Sequence, residues 1–140
     1  MDREAALAFL TADPPHTGKL ATVRADGRPH VAPIWFALDG DVVVFTTGAE
    51  TVKGQNLRRE GRAAMCVDDE RPPFSFVTVE GPVEIVDDDL DTLVRWATEI
   101  GGRYMGADQA EAFGRRNAVP GEWLVRLHVV HIASAIDVAD

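Results

Sequence analysis

The sequence predicts a mainly β protein with flanking helices: six antiparallel strands closing into a small barrel. Three observations carry that expectation. Asp26–Gly27 and Asp39–Gly40 both favour tight hairpin turns and lie between apolar runs. RAAMCVDD (62–69) and FSFVTVEGPVEIV (74–86) alternate in the way of half-buried strands. Finally, one uncovered sheet would leave too much Val and Ile in water, so the sheet has to curl and close. At 140 residues and 46% hydrophobic content, residues 1–140 are expected to form one domain.

The elements follow in order. Ala5, Ala6, Phe9 and Leu10 fall at helical spacing, so residues 2–11 read as a short helix closed by Pro14–Pro15. The two turns divide the next segment into strands near 18–24, 30–38 and 41–47. Pro29 and Pro33 cannot donate to a regular ladder, which places their strand at an edge, a bulge or a barrel corner. Residues 51–60 form a helix ended by Gly61. Strands at 62–69 and 74–86 come next, with Gly81–Pro82 as a bulge. Asp87, Asp88 and Asp89 cap a helix running to about Ile100. GGRYMG reads as a break, 108–116 as a second short helix, and WLVRLHVVHIASAIDV (123–138) as the last strand.

The charge balance, 14 Lys and Arg against 23 Asp and Glu, argues against a nucleic-acid or membrane surface and suits a small-molecule or protein partner. No run is long enough to span a bilayer, and the acidic N-terminus does not read as a signal peptide, so a cytoplasmic protein is expected. Cys66 is the only cysteine and reads as a small core residue. His128 and His131 have metal-pair spacing for a helix, but in a strand they point to opposite faces, and no metal site is expected.

The stretch FTTGAETVKGQN (45–56) carries the chemistry. A strand ends in hydroxyls and a glycine, then enters a helix with one lysine. Helix N-termini present unpaired amides and the positive end of the dipole. With Thr46, Thr47, Thr51 and Lys53 added, this is a candidate phosphate cradle. Each residue also has a plain reading: Lys53 as a solvated helix lysine, Thr46 and Thr47 as strand formers, Asn56 as a brace for the neighbouring loop.

LATVRADGRPHVAPIWF, FTTGAETVKGQNLRREGRAAMCVDD and FSFVTVEGPVEIV, in this order and spacing, resemble the split β-barrel flavin reductases of the pyridoxamine-phosphate-oxidase-like superfamily. The branch using the deazaflavin coenzyme F420 is the most similar, and RYMG and NAVPGEWLVRLHVVHIAS resemble one subgroup of it. The resemblance implies a homodimer with two interfacial cofactor sites. It places His30 to Trp35 along the deazaflavin ring, with backbone near Val31, Ala32 and Pro33 on the pyrimidine edge. It assigns Thr46, Thr47, Lys53 and Asn56 to the phosphate and ribityl portion. Phe74, Ser75, Phe76, Val77 and Thr78 would cover the ring from the same or the partner subunit. Trp35 could instead be core or dimer interface, and Phe74 and Phe76 could be core. Arg103 to Gly106 could be a loop pinned by Tyr104 or a substrate-choosing lid.

Relatives that bind flavin mononucleotide (FMN) or pyridoxal phosphate often carry several cations around this lysine. Here Lys53 is the single cation, three residues after Glu50. One ammonium suits the singly charged phosphodiester of F420 better than a terminal phosphate near −2. Arg58, Arg59, Arg62 and Arg71 are candidates for the γ-glutamyl tail. The resemblance therefore implies an F420-dependent oxidoreductase passing a hydride to a small electron-poor organic substrate, with no identifiable catalytic side chain. Alternatives are the same barrel holding FMN, or a non-catalytic carrier of a cofactor, pyridoxal phosphate or haem.

Overall fold

The longest strand organises the sheet. In the computed structural model, which describes residues 1–140, β6 (Ser75–Val86) pairs with three others. Before it come α1 (Arg3–Leu10), β1 (Gly18–Val23), β2 (Pro29–Ile34), β3 (Ala37–Asp39), β4 (Val42–Gly48), α2 (Val52–Glu60) and β5 (Arg62–Asp69). After it come α3 (Leu90–Met105), a 3₁₀ turn at Ala107–Gln109, α4 (Ala110–Asn117), β7 (Glu122–His128) and β8 (His131–Ala135). The antiparallel order is β2-β1-β5-β6-β7-β4-β3, with β8 pairing β6 off that path. This is a sheet curled into a half-barrel with flanking helices, the split-barrel fold.

Eight strands replace the expected six, because two predicted strands change partners midway. Trp35 and Phe36 leave the ladder between β2, which pairs with β1, and β3, which pairs with β4. Likewise Val129 and Val130 separate β7, which pairs with β4 and β6, from β8, which pairs with β6 alone. The expected bulge at Gly81–Pro82 falls where β6 passes from β8 to β7: Glu80 faces His131 and Val83 faces Leu127. β2 is a terminal strand, which fits its two prolines.

Alternation divides the apolar residues into two cores. Leu20, Phe36, Val43, Phe45, Leu57, Met65, Val77 and Val79 belong to the barrel core, closed at one end by Ala6 and Leu10 of α1. Val42, Val44 and Leu124 face the other way, against Leu93, Trp96 and Ile100 of α3. Fully burying one such side chain stabilises the fold by roughly 1.5–3 kcal/mol.

The predicted break at 101–106 is instead the last turn of α3. Gly101 and Gly102 are contact points, since a Cβ on Gly101 would stand 2.5 Å from Phe113 Cβ of α4. The glycines let the two helices of the hairpin approach closely. α3 does begin at its aspartates: Asp89 accepts from the Thr92 amide, and Asp91 lies in the first turn. Cys66, expected in the core, is only half-buried and projects from the outer face of β5 between buried Met65 and Val67.

Candidate functional site

β4 delivers the chain to α2 through a tight turn. The Thr51 hydroxyl caps α2: it accepts from the Gly54 amide at 3.0 Å and donates to the Gly48 carbonyl at 2.7 Å. Thr51 also accepts the Gln55 amide on its carbonyl. The amides of Val52 and Lys53 are left without an intrahelical acceptor. A Cβ on Gly54 would fall 2.3 Å from the Gly48 carbonyl oxygen, so only glycine lets the first turn of α2 lie this close to the strand end.

Alternation sorts the predicted cradle residues into two sets. Thr47 shares the barrel face with Val43 and Phe45, is 2% exposed, and lies 3.4 Å from the Thr51 hydroxyl. Asn56 is also buried; its amide donates to Thr22 Oγ1 and its carbonyl oxygen accepts from Arg59. Thr47, Thr51 and Asn56 thus hold β1, β4 and α2 together. Thr46 faces the opposite side, as do Val42 and Val44. Its half-buried hydroxyl has no protein partner, and the half-buried Lys53 ammonium makes no ion pair.

Glu122, which the sequence reading did not single out, completes this second set. It stands opposite Gly48 across the β4–β7 ladder, on the face that carries Thr46. Its Oε1 lies 3.4 Å from where a Gly48 Cβ would be, and the Thr51 methyl flanks the same point at 3.1 Å. The adjoining loops are tied by the Ala49 amide donating to the Gly121 carbonyl at 2.7 Å. Burial pushes the Glu122 carboxyl up from its ordinary range, and the Lys53 ammonium pulls it partly back. Only the ladder register reveals this acid; GEW in sequence carries no such signal.

β2 carries His30, Val31, Ala32 and Pro33. His30 and Ala32 alternate inward and are half-buried, while Val31 and Pro33 are exposed. His30 Nδ1 is buried without a hydrogen-bond partner. The β2 edge facing away from β1 has no neighbouring strand, so its backbone is open to a ligand. Trp35 is half-buried beyond β2: Tyr104 stacks on its indole at 5.2 Å and 5°, and Phe113 lies against it at 5.7 Å. That ring belongs to the packing of the helical hairpin. Arg103 donates to the Phe36 and Leu10 carbonyls, both at 2.6 Å, and Tyr104 donates to the His16 carbonyl at 2.7 Å. The RYM turn is therefore pinned, as expected of one reading, but as helix rather than loop.

The sequence profile described as pyridoxamine 5'-phosphate oxidase matches residues 3–132, nearly the whole chain. The chain belongs to the pyridoxamine 5'-phosphate oxidase family. A pyridoxine/pyridoxamine 5'-phosphate oxidase of Rhizobium etli is 39% identical over 94 residues, which cover 66% of this chain and 45% of the relative. The match thus spans less than half of that enzyme. A solved structure described as an F420 reductase is 31% identical, covers 85% of this chain and 90% of its own, and superposes with a TM-score of 0.65. A conserved hypothetical protein of Mycobacterium tuberculosis superposes more closely, with a TM-score of 0.84 at 26% identity, covering 98% of this chain and 86% of its own.

In this family member, Phe76 and Thr78 point away from the barrel core, since Val77 and Val79 point into it. Phe74 precedes the strand in a left-handed conformation, φ 65°, rather than sharing its face with Phe76. Ser75 accepts the Asp137 amide and ties down the C-terminal segment. The protomer does not carry these four residues to the cradle through its own interior. Of the four candidate arginines, Arg58 pairs with Asp87, Arg59 with Glu60 and Arg71 with Asp69, while Arg62 lines a groove of about 750 Å³ on the outer sheet face. No helix is long and apolar enough to cross a membrane, and no cluster of His, Cys, Asp or Glu could hold a metal ion.

Proposed function

We propose that this chain is an F420-dependent oxidoreductase that reduces an electron-poor double bond in a small organic substrate. The observation that carries the reading is the 31% identity to an F420 reductase over nearly the full length of both chains. The site's own chemistry fits: one unpaired lysine at an open helix start, an unpartnered Thr46 hydroxyl, and the orphaned His30 Nδ1 on the strand beside the free sheet edge. Lys53, Thr46 and the Val52 and Lys53 amides would hold the phosphate of the cofactor. The β2 backbone near Val31 and Ala32 would hold the ring. When bound, F420 supplies a two-electron hydride donor; the chain binds it, orients it and shields one face from water.

The proposal includes a homodimer. The outer face of β1, β2, β5, β6 and β8 carries Ala21, Val31, Ala64, Thr78 and Ala133, and Val31 is 67% exposed. A second copy seated there would bring Phe74, Phe76 and Thr78 to its partner's cofactor. The test is fluorescence titration of the purified protein with F420 and, separately, with FMN, alongside its mass in solution. Micromolar or tighter F420 binding by a dimer, with weaker FMN binding, is expected. Preference for FMN would move the protein to the flavin-mononucleotide branch, and binding of neither would sink the cofactor reading.

A further inference from the structure

Among the polar side chains facing the start of α2, one has the wrong sign for an anion site. Glu122 is a half-buried carboxylate with no hydrogen-bond donor and no ion-pair partner, whereas Arg126 on the same strand meets both Asp39 and Glu84. Its position is fixed from two sides. The β4–β7 register places it opposite Gly48, and the Ala49–Gly121 bond locks the two loops together. It shares a strand face with Thr46 and abuts the point flanked by Thr51. Every neighbour that could bind a phosphate oxygen lies at this same strand end. A carboxylate in a partly dry anion site repels each added negative charge.

We infer that Glu122 is the specificity-determining residue of the cradle, admitting a singly charged phosphodiester and rejecting a doubly charged phosphate monoester. The inference rests on the proposed phosphate site and adds the element that chooses among phosphates. Lys53 offsets one negative charge. A diester then leaves the pocket with the Glu122 charge alone, whereas a monoester leaves a second uncompensated charge beside it. One extra like-charge interaction through a partly wet site amounts to roughly tenfold in affinity.

The experiment compares FMN with its phosphate methyl ester, which share ring and ribityl chain and differ by one charge. F420 is titrated as a third ligand. Wild-type protein should bind the methyl ester more tightly than FMN. Glu122→Gln, which keeps the shape and removes the charge, should tighten both flavins, FMN roughly tenfold more than the ester, and so shrink that gap. Glu122→Ser should act in the same direction, which guards against an effect of the glutamine itself. An equal change for both flavins, or weakening of both, would overturn the inference and leave Glu122 as a brace for Lys53. If wild-type protein binds none of the three ligands, the proposed cofactor reading fails instead, so the two failures are separable.

Discussion

The starts of α2 and α3 are built alike and charged differently. Both are capped by a side-chain oxygen that accepts the third helical amide: Thr51 for Gly54, Asp89 for Thr92. α3 then adds Asp91 in its first turn, with Asp87 and Asp88 just before it, so acids meet the positive end of its dipole. α2 has no acid in its first turn and a neutral cap. Glu50 precedes that cap on an exposed turn, and the half-buried acid beside its positive end comes from outside, as Glu122 across the ladder. A helix that carries its own anions is finished as structure. One that borrows a single carboxylate from another strand retains room for a ligand.

Substitutions can break this comparison, and the largest effect is expected at Gly54. Helix propensity alone favours replacing it. A side chain there would drive into the Gly48 carbonyl, so Gly54→Val should lose about 3 kcal/mol in urea unfolding and abolish cofactor binding. A variant as stable as wild type would mean the turn is looser than described. Lys53→Ala should weaken cofactor binding by about 1.5–3 kcal/mol at unchanged Tm; equal affinity in the folded variant would remove the cradle.

The caps sharpen the contrast. Thr51→Ala should cost about 1 kcal/mol of stability and also weaken the cofactor, because the same hydroxyl shapes the turn. Asp89→Ala should lower Tm while leaving cofactor affinity untouched. Hydrogen bonds from Thr92 hold the Asp89 carboxyl below its ordinary value, so its contribution is present at neutral pH and lost as pH falls through that lowered value. Glu122 works in the opposite sense and should show the smallest effect. Its folded carboxyl is raised above 4.5, so the folded state binds more protons, and stability declines as pH rises from about 4.5 to the raised value. Glu122→Gln should flatten that decline in melting curves taken across pH; an unchanged pH profile would mean the carboxylate is fully hydrated.

The sequence made local features legible and left out those that depend on distant partners. The strands at 62–69 and 74–86, the helix ended by Gly61 and the edge position of the strand carrying Pro29 and Pro33 all follow from alternation, backbone limits and turn chemistry. The divided strands at Trp35–Phe36 and Val129–Val130 follow instead from a change of ladder partner, which no local pattern encodes. Gly101–Gly102 reads as a helix breaker because glycine destabilises helices, yet its missing side chain admits α4. At the site, the residue types of the cradle were readable. Which hydroxyls are tied up and which are free depends on strand faces, and Glu122 enters only through the register of β7.

The sharing of β6 has a bearing on how the molecule comes apart. Its backbone is bonded to β5 along one edge and to β8 and then β7 along the other, and its side chains enter the barrel core. No partial opening frees its middle without dismantling several ladders at once. In deuterium exchange, the amides of Val77 to Val79 should therefore be among the last to exchange, at the rate of global unfolding, while those of α4 exchange through local fraying.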